Sequence, residues 1–350
     1  MIKVDKLFKN AIVLTVDEKF NMYEMGAVAT DKDKIVAVGP EKDICGAYEG
    51  AEVIDCKGKV LMPGLVNVHT HVPMTLLRGL SDDLRLDVWL MGYIMPVERE
   101  FVSPEMVVLG TKIACAEMIR CGTTSFADMY YFEKEIAKTT AEAGMRAVCG
   151  ESVLMFPAPD ASCYEDALKL CEDFIKEYKN HPLIVPAVAP HAPYTTTPEI
   201  LQACADLALK YDVPVLMHLG ETASEVEGVN KQYGQNVISY AKSQKLLQTK
   251  LSGAHLVHID ESEMREMARN NCGGAHNPSS NMKLASGAAP ITKMVELGMN
   301  VGIGTDGPSS NNDLDMFEEI RLASLLAKLQ TGDPTSLPAK TIIYMATRGG

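Results

Sequence analysis

Val60-Leu61-Met62-Pro63-Gly64-Leu65-Val66-Asn67-Val68-His69-Thr70-His71 reads as a turn at Pro63-Gly64, a short apolar strand, and two histidines where the strand runs out. Along a strand, residues i and i+2 face the same side, so His69 and His71 project together. Two imidazoles on one face can grip one metal ion, but a lone His-x-His also fits two strand-end histidines with separate hydrogen bonds. What lies downstream decides between them.

From Leu61 onward a rhythm of strand, loop and helix repeats, the pattern of a parallel sheet with crossover helices. The candidate strands start at Leu65, Thr124, Arg146, Leu183, Val213, Lys250, Gly273 and Asn300. Eight parallel strands separated by helices predict a closed barrel over residues 61–350. Ser103-Pro104-Glu105 supplies an N-cap, a proline at the first helical position and an early acid. Met106, Leu109, Ile113 and Ala116 then predict the inward face of that helix, with Gly122 as its stop. Thr197-Pro198-Glu199 opens a second helix in the same way.

Before the barrel, residues 1–60 alternate short β-rich runs with Gly, Asp and Lys turns, which predicts a small antiparallel sheet. Such a sheet alone leaves unpaired edges and an apolar face to cover. The sequence stops at Arg348-Gly349-Gly350 after a helix predicted from about Pro338, so a further C-terminal segment is expected to complete that small domain.

A chain that is 47% apolar can bury a large core, and its net charge of −13 argues against nucleic acid or an anionic membrane as partner. A neutral or cationic small molecule fits better. The nine cysteines include no Cys-x-x-Cys pair, and Ala11–Val16 is far too short for a signal or spanning segment. These features predict reduced thiols and a cytoplasmic protein, with a homo-oligomer left open.

The residue at the end of each candidate strand decides the chemistry. The first strand gives His69 and His71, the fourth Pro190-His191, the fifth His218-Leu219-Gly220-Glu221, the sixth His255 and the eighth Thr305-Asp306. Barrels of this kind place their active sites at that face. His69, His71, His218 and Asp306 offer three nitrogens and one oxygen, a donor set that suits zinc or another divalent transition metal with a position open for water. Such an ion lowers the pKa of water from about 15.7 to about 7. Glu221 lies close enough to shuttle protons without being a ligand, His255 can orient the attacking water, and Asp306 can also accept its proton. Singly, Asp306 is equally a turn former and Glu221 a first-turn helix acid; the argument rests on the set. The fourth strand ends Val188-Ala189-Pro190-His191 without a lysine to bridge two metals, so one ion is expected.

The stretches Pro63–His71, Met74-Thr75-Leu76-Leu77-Arg78-Gly79, His218-Leu219-Gly220-Glu221-Thr222, His276-Asn277-Pro278-Ser279-Ser280-Asn281 and Gly304-Thr305-Asp306-Gly307 resemble the amidohydrolase superfamily. Within it, they look most like the branch of 5'-methylthioadenosine/S-adenosylhomocysteine deaminases and triazine hydrolases. The resemblance implies a distorted (β/α)8 barrel with a small β-sandwich built from both chain ends. It carries metal ligation onto His69, His71, His218 and Asp306, and proton transfer onto Glu221 and His255. It further implies that His191 contacts a purine and that Glu98 accepts the ribose hydroxyls. Glu151 aligns where members that take S-adenosylhomocysteine are expected to carry an arginine, so it is a candidate for repelling a substrate carboxylate.

Three functions stay in view. The first is hydrolytic deamination of an adenosine-type nucleoside (5'-methylthioadenosine, 5'-deoxyadenosine, adenosine or S-adenosylhomocysteine) to its inosine analogue and ammonia. The second keeps the metal machinery but acts on guanine, a pterin or a triazine. The third is an inactive structural relative, a reading that sits poorly with a complete ligand set.

Overall fold

Five strands come from the first 64 residues: β1 (Ile2–Leu14), β2 (Met22–Asp31), β3 (Lys34–Pro40), β4 (Tyr48–Asp55) and β5 (Val60–Leu61). The computed structural model describes Met1 to Gly350 throughout, and Met1–Gly64 and Leu65–Gly350 form separate compact units. In the first unit the strand order is β3-β2-β1-β4, with β5 also on β1. The expected antiparallel sheet is in fact mixed: β1 pairs antiparallel with β2 but parallel with β4 and β5. The cause is the helix Glu41–Ala47, which carries the chain back across so that β4 runs with β1. Ile44 of that helix packs on Val4, Leu7, Ala27 and Ala29 of the sheet.

The second unit is a closed barrel of eight parallel strands. They are β6 (Leu65–Thr70), β7 (Thr123–Tyr130), β8 (Arg146–Val153), β9 (Ile184–Pro190), β10 (Pro214–Leu219), β11 (Lys250–His255), β12 (Gly273–His276) and β13 (Asn300–Ile303). Two seams are thin, since β9 and β10 meet only at Val188↔Val215, and β13 and β6 only at Ile303↔Asn67. The barrel is therefore distorted, and its thin seam at β13 lies beside the strand that delivers His69. There the chains approach too closely for a side chain, because a Cβ on Gly304 would stand 2.9 Å from the His69 carbonyl oxygen.

Both predicted helix starts form. Ser103 accepts the Met106 N–H at 3.3 Å to open Pro104–Arg120, and Thr197 accepts that of Ile200 at 3.4 Å to open Pro198–Tyr211. The buried face of Pro104–Arg120 differs from the expected one. Val107, Gly110, Thr111, Ala114, Cys115 and Met118 point inward, while Leu109 is 53% exposed and Ile113 41%. Close approach to the segment Val72–Leu77 explains the choice, since Thr75 donates its hydroxyl to the Gly110 carbonyl at 2.8 Å and a Cβ on Gly110 would lie 2.8 Å from Pro73 Cα. Small side chains, not large ones, fit that contact. No helix is long and apolar enough to cross a membrane.

Candidate metal centre and substrate cavity

Strand ends bring four donor groups to one point. His69 is the penultimate residue of β6, His71 follows one residue past the strand, His218 lies near the end of β10, and Asp306 stands three residues after β13. One ligand atom from each falls within 4.8 Å of all the others. Asp306 Oδ1 is 3.3 Å from His69 Nε2 and 3.2 Å from His71 Nε2, and the His71 and His218 Nε2 atoms are 3.4 Å apart.

The rings are aimed by the main chain. His71 Nδ1 donates to the Met129 carbonyl at 2.6 Å, and His218 Nδ1 donates to the His191 carbonyl at 2.8 Å. A carbonyl can only accept, so each neutral ring turns an Nε2 lone pair inward. His69 Nε2 is buried without a hydrogen-bond partner. Lone pairs and a carboxylate oxygen converging in this way fit a divalent cation.

Burial pulls His69 down to about 4 and, helped by the neighbouring imidazoles, drives His218 well below its usual range. Burial would lower His71 too, but the hydrogen bond and charge of Asp306, with the charge of Asp128, push it up to about 9. A cation in the cluster would displace that proton. Burial would raise the Asp306 carboxyl, yet the close approach of the His69 and His71 rings and the charge of His255 hold it well below the usual range. Its oxygens also accept from Gly307 N (2.7 Å), Ser280 Oγ (2.6 Å) and Ser310 Oγ (2.9 Å).

His255 closes β11 with φ at +75°, followed by Leu256 at +51°. Two consecutive residues in this sparsely populated region mark a strand end bent to aim a side chain. The His255 Nδ1 pairs with Asn281 Oδ1 at 2.8 Å, and its Nε2 stands 3.9 Å from both Glu221 Oε2 and Asp306 Oδ2. Glu221 is 3% exposed, and burial raises its pKa, an environment that favours a carboxyl able to hold and release a proton.

His71, His191, His218, Glu221, His255 and Asp306 all line one cavity of about 50 Å³. Its walls are apolar and aromatic, with Trp89, Leu90, Tyr130, Tyr131, Tyr194 and Leu284, and no lysine or arginine lines it. His191 Nδ1 pairs with Thr195 Oγ1 at 2.9 Å, and burial lowers its pKa to about 3, leaving a neutral ring at the cavity surface. Glu98 also lines the cavity and accepts the Tyr130 hydroxyl at 2.7 Å; burial raises its pKa to about 7.

Glu151 is placed differently from the sequence expectation. It does not line the cavity; the adjacent Ser152 does. Along β8, Gly150 faces the barrel interior, where a Cβ would stand 3.0 Å from Ala189, while Cys149 joins the apolar cluster with Cys115, Ile136 and Phe174. Alternation sends Ser152 with Gly150 and Glu151 with Cys149. There Glu151 Oε2 accepts the Glu133 N–H at 3.1 Å, and burial pushes its pKa well up.

Several site residues escaped the sequence reading. Tyr130 and Tyr131 end and follow β7, a position that the strand-end rule could have flagged; Trp89, the chain's one tryptophan, sits in an apolar run with no such mark. Asn281 belongs to a stretch already singled out, but only folding brings it to His255. His258 and His181, two histidines outside the cluster, are engaged locally with the Ser286 carbonyl and the Leu183 and Ile184 N–H groups.

The amidohydrolase family profile matches residues 60–350. This chain belongs to the amidohydrolase family. It is 44% identical over 348 residues to a 5-methylthioadenosine/S-adenosylhomocysteine deaminase of Syntrophobacter fumaroxidans, covering 99% of this chain and 79% of that protein. It is likewise 44% identical to the protein of that name from Nitratidesulfovibrio vulgaris, over 99% of this chain and 78% of the other. Among solved amidohydrolase-like structures, an adenosine deaminase from Xanthomonas campestris with bound zinc superposes with a TM-score of 0.97 at 39% identity, covering 99% of this chain and 79% of that one. An atrazine chlorohydrolase from Arthrobacter aurescens, at 23% identity, TM-score 0.89 and coverage of 98% and 82%, shares the fold. As an amidohydrolase the chain is a hydrolytic enzyme with a His-His-His-Asp group able to hold metal.

Proposed function

We propose that this amidohydrolase deaminates an adenosine-type nucleoside, 5'-methylthioadenosine, 5'-deoxyadenosine, adenosine or S-adenosylhomocysteine, to the inosine analogue and ammonia. The observation that carries the reading is the convergence of His69, His71, His218 and Asp306 beside Glu221 and His255 in one apolar cavity. The deaminases among its relatives support the choice of substrate.

His69, His71, His218 and Asp306 would hold one divalent ion, zinc by the nitrogen-rich donor set. Bound there, it supplies the acidity that makes water nucleophilic at neutral pH. His255, its Nδ1 fixed by Asn281, turns Nε2 toward the attacking water, and Asp306 takes the proton that the water releases. Glu221 gives a proton to N1 of the purine as C6 is attacked and recovers one from the new C6 hydroxyl, while the proton held on Asp306 passes to the departing amine, so that ammonia leaves with both carboxyl groups restored. His191 meets the purine with a neutral ring, and Glu98 accepts the ribose hydroxyls. The apolar walls exclude competing water. The nine cysteines are all free, which supports a reducing compartment such as the cytoplasm.

The test is an ammonia-release screen over the four adenosine derivatives, guanine, a pterin and a triazine, with His218→Ala as control. Release from an adenosine derivative, lost in the control, is expected. Turnover confined to guanine, pterin or triazine would overturn the substrate assignment.

A further inference from the structure

Glu225 lies in the first turn of the helix Ala223–Tyr233 and is 4% exposed. Its carboxylate turns back along the chain. Oε1 accepts the Gly220 N–H at 2.8 Å and Oε2 accepts the Glu221 N–H at 3.0 Å. On the neighbouring strand end, the Leu256 N–H donates to the Leu219 carbonyl at 3.0 Å and the His258 N–H to the Gly220 carbonyl at 2.8 Å. Leu219-Gly220-Glu221 is thus pinned through two carbonyls and two N–H groups, and Glu225 alone supplies both acceptors. The pinned link joins His218 to Glu221. Gly220, at φ +61°, is its bend, where a Cβ would come within 3.0 Å of Ile259.

We propose that Glu225 is a positioning residue that sets the direction of the Glu221 carboxyl for proton transfer. The proposal rests on the assignment of Glu221 as proton carrier. Glu225 touches neither the cavity nor the reacting atoms; it acts through the main chain of the residue that does. A carboxylate can satisfy two N–H donors at once, whereas a glutamine of the same shape offers one oxygen and turns an NH2 toward the other donor. The link then loses one anchor on the side of Glu221. A displacement of about 1 Å in a reacting group can cost roughly 100-fold in rate.

The experiment is a double-mutant cycle on the metal-loaded enzyme with Glu225→Gln, Glu221→Gln and the pair, reading kcat, KM and bound metal. Glu225→Gln is expected to lower kcat by about 10- to 100-fold, with KM within about threefold and metal content unchanged. In the Glu221→Gln background the same change should have almost no further effect, because its route to the chemistry is already cut. Glu225→Asp keeps both acceptors on a shorter arm and should recover part of the lost rate; if the glutamine variant does not fold, reduced kcat with retained KM and metal in Glu225→Asp carries the test. Full activity in these variants, or a loss that multiplies unchanged in the Glu221→Gln background, overturns the positioning role. Full activity in Glu221→Gln itself overturns the assignment of Glu221 instead.

Discussion

His71 Nε2 and His218 Nε2 stand 3.4 Å apart, while the Nδ1 of each ring donates to a main-chain carbonyl. With Nδ1 committed on each ring, the facing Nε2 atoms are satisfied only by a cation between them: the proton that Asp306 and Asp128 favour on His71 without metal, or a divalent ion that both lone pairs reach. Stripping metal with a chelator should therefore lower Tm, and adding zinc should restore it. A ligand present at about 100 times its Kd stabilises by about 2.7 kcal/mol. In His218→Ala, both the metal content and the chelator effect should largely vanish. A Tm indifferent to chelator in the wild type would refute the ion-binding assignment.

Glu98 holds its place through the Tyr130 hydroxyl, 2.7 Å away, and faces the cavity. If it receives ribose hydroxyls, Glu98→Gln should cost nucleosides a charge-assisted hydrogen bond, about 1.5–3 kcal/mol or roughly 10- to 150-fold in kcat/KM. Inhibition by free adenine, which has no ribose, should change little. Equal weakening of adenine and nucleoside would remove the ribose role.

Away from the metal-ligand cluster, the cavity has carboxyl groups from Glu98 and Glu221 but no lysine or arginine. A substrate that brings its own carboxylate enters an acidic, weakly hydrated space, and like charges about 4 Å apart cost ~1 to ~4 kcal/mol between water and an effective dielectric of 20. 5'-Methylthioadenosine should exceed S-adenosylhomocysteine in kcat/KM by about tenfold or more. The position from which a cation could narrow that gap is Ser152, so Ser152→Arg should narrow it, whereas Glu151→Arg should mainly destabilise the fold. Preference of the wild type for S-adenosylhomocysteine would reject the argument.

The exchange of Glu151 for Ser152 shows where sequence reasoning stops. His69, His71, His218 and Asp306 were legible because each sits at or just past the end of a recognisable strand, and the barrel topology alone gathers strand ends. Side-chain direction in β8 turns on a count of one, and a slip of one residue sends every side chain to the other face. The inward face of Pro104–Arg120 misled for a related reason: periodicity ranks residues by hydrophobicity, but contact with Pro73 selects for smallness at Gly110. The parallel placement of β4 was hidden because the short helix Glu41–Ala47 carries little apolar pattern beyond Ile44.

Glu319 is buried in the helix Met316–Thr331, where its carboxyl accepts the Ser279 N–H at 3.1 Å and the Asn311 amide at 3.0 Å. Burial raises its pKa to about 8, against opposition from those donors. For an acid whose folded pKa lies above its unfolded value of 4.5, stability is fully present below 4.5 and is lost as pH rises toward 8, at up to tenfold in the folding constant per unit. Glu319→Gln should flatten the decline of Tm between those limits without altering Tm at pH 4. An unchanged slope would show that Glu319 is ionised in the folded protein.

The cavity of about 50 Å³ has room for roughly four water molecules at ~10–15 Å³ each, while small-molecule sites commonly enclose ~300–1,000 Å³. Walls set this close leave less room beside the metal centre than such ligands commonly fill. Trp89 and Leu90 belong to the six-residue π-helical turn Trp89–Ile94, wound between the α-helical segments Leu86–Val88 and Met95–Phe101. Such turns are rare and frequently sit at functional sites. The wall must part to admit substrate and part again to free the inosine product, so kcat should fall with added viscogen to the extent that this traffic, and not bond breaking, limits turnover.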